Sequence, residues 1–256
     1  MMWGMAVILL GCSSSWAAES VERPPSIISL PEGEFAVVVE KKTQTLSVYS
    51  FRDNTFFLEE KIRCSTGEAP GDKTESGDRK TPEGIYFLID EYEDKYLTPV
   101  YGKKAFPTDY PNFIDKRAGK NGSAIWIHGT NKKLKPMDSN GCVAMENEGI
   151  LKLDKYISLH STPLIMVEEI QDSHQASLPL EAEVRRLISE WGASLAAGSY
   201  HDFLSPYSDA YLPDIGWWRE WRSLRQRADN NRLKLMIHTG QMGIYRHNTH
   251  IVALFD

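Results

Sequence analysis

Between residues 35 and 167 the apolar positions fall in short runs broken by polar turns, the pattern of strands more than of helices. Residues 35–39 and 45–49 read as two strands joined by a turn at Lys41, Lys42, Thr43 and Gln44, and residues 56–64 read as a third. The next stretch, STGEAPGDKTESGDRKTPEG at 65–84, is rich in glycine and charge and predicts an ordered loop. Residues 85–89 return to strand. Residues 95–123 carry Pro99, Pro107 and Pro111 with little periodicity, which predicts a long surface excursion. Residues 124–128 form a strand ending on His128. Ile150, Leu153 and Ile157 have helical spacing within 148–159, and residues 163–167 close the region as a strand. Short strands, long connections and one short helix predict a mainly β fold, a small β-sandwich or closed sheet.

The pattern changes beyond 171–177. Val184, Leu187, Ile188, Trp191 and Leu195 mark one face of an amphipathic helix. Residues 200–221 are aromatic-rich, with tryptophans at 217, 218 and 221, and strands are expected at 233–238 and 250–255. This end reads as a small α+β domain. At the other end, the apolar run 5–10 followed by small residues fits an export signal and is too short to span a bilayer. Two processing sites compete there. Leu9-Leu10-Gly11-Cys12 would place a lipid on Cys12, whereas Ala17-Ala18 would release a soluble protein into the periplasm. The expected organisation is a signal at 1–18 (or a lipoprotein signal ending before Cys12), a linker at 19–33, a first domain at 34–170, a linker at 171–178 and a second domain at 179–256.

Composition alters this picture little. The 256 residues are 41% hydrophobic and 25% charged, with a net charge of -6, so no basic surplus points to a nucleic-acid partner. The three cysteines do not make a disulfide framework. Apart from Cys12, Cys64 and Cys142 either pair or leave a free, reactive thiol.

The densest chemistry lies in IWIHGTNKKLKPMDSNGCVAMENEG, residues 125–149. A thiol needs a group to take its proton, and near neutrality histidine does this best. Two strands joined by a loop would bring Cys142 and His128 together, with Lys132, Lys133 and Lys135 near the mouth of the site. Gly141 would let backbone amides turn toward an oxyanion, and the Gly129 carbonyl could orient the imidazole in place of a carboxylate. The alternatives stay open at this level: a small buried Cys and a core His, or half of a metal site. C-x-x-C and H-E-x-x-H are both absent, so no metal or other cofactor is expected.

Residues 35–168 resemble the L,D-transpeptidase catalytic domain, the YkuD or ErfK/YbiS/YcfS/YnhG family. Its signature, HG followed by [ST]-x-G-C and an apolar residue, is met by His128-Gly129 and by Ser139-Asn140-Gly141-Cys142-Val143. Upstream, Ser65-Thr66-Gly67, Gly71-Asp72-Lys73 and the run from Gly77 to Tyr86 are similar to the family's substrate-side loop. Tyr110-Pro111-Asn112 and Asp115 match as well. The resemblance implies that Cys142 attacks the diaminopimelate carbonyl of a peptidoglycan tetrapeptide and expels D-alanine, with His128 as base and Gly129 holding the ring. It also implies oxyanion and substrate contacts from Gly141, Asn140, Ser139, Thr81, Pro82, Gly84, Tyr86 and Tyr110. The expected function is therefore L,D-transpeptidation, with L,D-carboxypeptidase trimming or idle wall binding as alternatives. The sequence departs from the family in having Asn140 where many members have His, and Ala144 where many have Arg. Trp191, Gly198, the run from Phe203 to Ser208, and Trp218 resemble the NTF2-like domain of helical-cell-shape carboxypeptidases. The stretch after Leu233 is short for such a domain, which would be incomplete. That domain would be the surface for a cell-envelope protein partner.

Overall fold

The computed structural model describes residues 19–170, 178–208 and 213–256. The signal, the lipid site at Cys12 and residues 171–177 of the expected linker lie outside the described residues. Thirteen strands are described: β1 (Glu19–Val21), β2 (Ile27–Ser29), β3 (Phe35–Glu40), β4 (Thr45–Arg52), β5 (Thr55–Ser65), β6 (Gly84–Phe87), β7 (Tyr92–Glu93), β8 (Lys104–Pro107), β9 (Trp126–Thr130), β10 (Val143–Glu146), β11 (Pro163–Val167), β12 (Met242–His247) and β13 (His250–Phe255). The helices are α1 (Phe113–Arg117), α2 (Asn147–Leu153), α3 (Leu178–Ala197), α4 (Tyr200–Leu204) and α5 (Trp218–Asn230).

Ten strands form one sheet in the order β6-β11-β3-β4-β5-β10-β9-β8-β7, with β1 added on β5. A single core gathers side chains from Val37 and Leu46 through Ile62 to Ile127, Phe106, Leu164 and Tyr86, so the sheet curls around it as a half-barrel. Ile150 and Leu153 of α2 plug the concave side. The expected sandwich with one short helix is thus corrected to a curled sheet accompanied by several helices. Both faces of β3 and β11 are buried, which explains their nearly continuous apolar sequence. Val37, Val39, Leu164 and Met166 face the main core, while Ala36, Val38 and Ile165 face a second core with Ile27 and Tyr245. That second core is closed by a three-stranded sheet, β13-β12-β2. Residues 19–33, read as a linker, therefore hold β1 and β2, and β2 joins the C-terminal hairpin to the curled sheet.

Two further expectations are corrected. Residues 95–123 are not a surface excursion throughout: β8 pairs with both β7 and β9, and Ala105 and Phe106 are fully buried. Four residues bounded by Pro107 are too few to show a period. The strand expected at 233–238 is absent; Leu233 and Met236 stand 63% and 60% exposed there. The strand lies instead at β12, where Gly243 weakens the sequence signal. A side chain at Gly243 would collide with the ring of Tyr245, the residue β12 sends into the second core.

The loop at 65–84 is ordered by buried charge. Lys73 Nζ meets Asp78 Oδ1 at 2.6 Å, with side chains only 5% and 7% exposed. Asp78 also accepts from the amides of Thr74, Glu75 and Lys80, and these bonds hold its carboxyl well below the usual carboxylate range despite desolvation. Lys41 binds Glu83 at 2.8 Å and the Gly71 carbonyl at 2.7 Å, and Lys120 bridges Asp72 and Asp115. Removing one partner of a buried pair leaves an uncompensated charge. Asp78→Ala is expected to lose about 3 kcal/mol, read as a lower urea midpoint. An unchanged midpoint would show that the loop does not depend on this pair.

Candidate active site

The site is assembled by the pairing of β9 with β10. These strands are parallel, with Val143 opposite Ile127 and Ala144 opposite His128. Side chains alternate between faces, so Ile127, Val143 and Met145 enter the core while His128 and Ala144 point to the other face. Cys142, two residues before Ala144, shares that face. Register extends the row through Ala105 on β8 and Ser65 on β5. His128 therefore stands in a row of small residues, which leaves room for a cavity of about 690 Å³ whose lining includes Cys142, His128, Ala144, Ser139, Asn140 and Tyr101.

His128 is oriented from two sides. Its Nδ1 lies 2.6 Å from the Gly129 carbonyl oxygen. An oxygen can only accept, so Nδ1 carries the proton and Nε2 is left as the basic nitrogen. Tyr101 meets the imidazole edge-on, with centroids 5.0 Å apart at 87°, and also packs on Trp126. The turn carrying Tyr101 is fastened by Asn147, whose Oδ1 accepts from Lys103 N and whose Nδ2 donates to Asn131, which in turn donates to Pro99 O. Gly129 must stay bare because a Cβ there would meet Asn147 Oδ1 at 2.5 Å. Sequence reasoning missed Tyr101 and Asn147. The nearest signals were Tyr101-Gly102 in the stretch taken as an excursion and Asn147 at the start of α2.

The approach to Cys142 is a tight turn. Asn140 and Gly141 both have positive φ, 57° and 102°. A Cβ at Gly141 would lie 2.8 Å from the Lys80 carbonyl oxygen, so only glycine fits. Thr81, fully buried, accepts from Gly67 N and donates to Gly141 O, both at 2.9 Å, tying the turn to the 65–84 loop. The Asn140 amide donates to Glu68 Oε1 at 3.2 Å and the Cys142 amide to Ser139 O at 3.2 Å. Among these three amides only that of Gly141 makes no hydrogen bond to the described residues.

The other expected site residues lie apart from the cavity. Tyr86 is fully buried and donates to Asp115 and Glu83 O; Tyr110 meets it edge-on and donates to Asn121 O at 3.0 Å. Pro82 is buried, and a Cβ at Gly84 would lie 2.8 Å from the Tyr86 hydroxyl. These residues shape the support of the site. Ser139 and Asn140 line the cavity, as do Lys132, Lys133 and Lys135, none of which forms an ion pair among the described residues.

Burial favours the neutral form of both Cys142 and His128. Burial pushes the Cys142 thiol up, opposed by the Trp126 amide and the Lys73 charge. Burial pushes His128 down, opposed by its bond to Gly129. The thiol lies 3.5 Å from Ala124 O. Cys64 is buried within the core and free, its thiol pushed up to about 12 by desolvation. Among the described residues, no group of three or more His, Cys, Asp or Glu is placed to hold a metal, and no helix is long and apolar enough to cross a membrane.

Residues 34–166 match the L,D-transpeptidase catalytic domain, YkuD, and the chain belongs to that family. YafK of Escherichia coli K12, whose name assigns it provisionally to the L,D-transpeptidases, is 28% identical over 151 residues, or 59% of this chain and 56% of YafK. The chain thus spans a little over half the length of the curated relatives it matches. Bd1075 of Bdellovibrio bacteriovorus is similar in structure with a TM-score of 0.71 and 25% identity, covering 93% of this chain and 86% of Bd1075. The helical cell shape determining protein Pgp2 of Campylobacter jejuni, in a substituted form, gives a TM-score of 0.60 at 25% identity over 85% of this chain and 77% of Pgp2.

Iodoacetamide mapping across pH tests the neutral resting state. Alkylation of Cys142 should rise with a midpoint above the ordinary thiol range, and Cys64 should stay unlabelled in the folded protein. A Cys142 midpoint below pH 7 would reveal a preformed thiolate–imidazolium pair instead.

Proposed function

We propose that this chain is a cysteine-dependent L,D-carboxypeptidase of the periplasm that trims peptidoglycan tetrapeptide stems to tripeptides in the control of cell shape. The observation that carries this reading is the placement of Cys142 and a correctly tautomerised His128 on one face of one cavity, in a chain similar to a cell-shape determining protein. In the reaction, His128 Nε2 takes the thiol proton as Sγ turns from Ala124 O and attacks the carbonyl of the third stem residue. The Gly141 amide receives the oxyanion. Collapse breaks the bond to the terminal D-alanine, whose amine takes the proton from His128. A water, deprotonated in turn by Nε2, then hydrolyses the thioester and returns free Cys142. The cationic lip of Lys132, Lys133 and Lys135 draws the anionic stem toward the cavity.

L,D-transpeptidation shares the acyl-enzyme and differs only in the acceptor, an amine in place of water; the family match supports this second reading. The proposed organisation keeps 34–170 as the catalytic unit and 179–256 as an NTF2-like unit for an envelope partner. Val184 and Ile188 of α3 pack in one cluster with Ile244 of β12 and Ile28 of β2, so such a unit would also draw on residues before 34. The leader at 1–18 would direct export.

Disaccharide-tetrapeptide incubated with the protein and analysed by mass spectrometry should yield tripeptide and D-alanine, with both lost in Cys142→Ala. A 3-3 cross-linked dimer would select transpeptidation, and intact substrate would refute both readings. Because burial lowers the His128 pKa, the imidazole stays basic further into acid. The acid limb of kcat/KM should therefore fall below pH 6.5, and a limb at or above pH 7 would contradict a neutral base.

A further inference from the structure

Glu68 and Arg79 both line the cavity that holds Cys142, on adjacent limbs of the 65–84 loop. The limbs are in direct contact: the Arg79 carbonyl accepts from Ala69 N at 3.2 Å, and it lies where a Cβ at Gly67 would stand, on either side of Glu68. Despite this proximity the two side chains form no ion pair, with each other or with any described residue. Glu68 Oε1 accepts one bond, from Asn140 N. Its Oε2 is shielded from water and has no partner, and no other buried side-chain nitrogen or oxygen among the described residues is in that position. An unsatisfied carboxylate oxygen in such a place is costly. Arg79 is exposed, and it is held at a φ of 54°, unusual for a residue with a side chain. The backbone on either side of it is fixed by Asp78, which binds Lys73 and the Lys80 amide.

Two opposite charges on adjacent limbs at one cavity, unpaired among the described residues, suit a ligand that carries both. We propose that Glu68 and Arg79 form a subsite for a zwitterionic amino-acid head group, an ammonium and a carboxylate on one carbon. This rests on the stem-peptide reading above and deepens it. A third stem residue of the diaminopimelate type ends its side chain in such a head group, a lysine ends in an ammonium alone, and a norleucine in neither. A small turn about the soft terminal torsion of Glu68 frees Oε2 toward the ammonium, while the Arg79 guanidinium accepts the carboxylate in its two-pronged geometry. The cavity would then read the third residue on the substrate rather than only its reacting carbonyl. The missing arginine at Ala144 makes charge recognition from this loop more necessary.

The experiment compares tetrapeptides with diaminopimelate, lysine or norleucine at the third position, using wild type, Glu68→Gln and Arg79→Gln. Glu68→Gln keeps an oxygen for the Asn140 amide, so the turn before Cys142 is retained. Arg79→Gln should lower kcat/KM on the diaminopimelate stem by roughly tenfold to a hundredfold more than on the lysine stem, the size of a charged hydrogen bond. Glu68→Gln should lower both amine-bearing stems relative to norleucine by a similar ratio. Equal effects of a variant on all three peptides would overturn the subsite and leave both residues as loop supports. Calorimetric binding of the same peptides to Cys142→Ala, with and without each substitution, separates this from the activity. Turnover without the predicted preference sinks the subsite alone. Side-chain-selective binding without turnover sinks the proposed reaction alone, and absence of binding to every protein form sinks both.

Discussion

The parallel pairing of β9 with β10 is the constraint on which the site depends. A slip of one residue between them would turn one strand over, sending either His128 or Cys142 into the core and its apolar neighbour into the cavity. The register is held from below, because Ile127, Val143 and Met145 enter the main core together with Ile150 of α2. It is held from the sides by β8 and β5. Hydrophobic burial beneath the sheet thus sets where the polar chemistry stands on top of it.

The upper face is built from bonds that leave few donors over. Thr81 joins the 65–84 loop to Gly141, Glu68 takes the Asn140 amide, and Ser139 takes that of Cys142. What remains is the Gly141 amide, without a hydrogen bond to the described residues, a basic Nε2 on His128 and a thiol whose protonated form burial favours. Burial thus favours the protonated thiol before substrate binds. In the proposed reaction, moving the proton from Cys142 to His128 falls to the substrate-bound state.

Much of this was legible in the residues, for reasons that differ along the chain. β3, β4, β5 and β11 are long and apolar enough to be read directly, and HG with S-x-G-C singled out His128 and Cys142 as candidates because spacing across one loop is a local property. The 104–107 strand escaped because its burial comes from two neighbours far away in sequence. β12 escaped because Gly243, a weak strand former, is required by the Tyr245 ring. Tyr86 and Tyr110 were placed at the site by resemblance, yet their hydroxyls serve Asp115 and Asn121 O inside the fold. The roles of Tyr101 and of Asn147, which the sequence showed only as the start of a helix, were hidden for the converse reason: they exist only once the 99–103 turn folds over His128.

The central claim is that Cys142 carries the acyl group. Acid-quenched samples of the protein mixed with tetrapeptide, digested and mapped by mass spectrometry, test it most directly. The account predicts a tripeptide acyl adduct on the peptide containing Cys142, absent from Cys142→Ala and depleted with time as product appears. Turnover with no adduct on Cys142, or an adduct on any other residue, would contradict it.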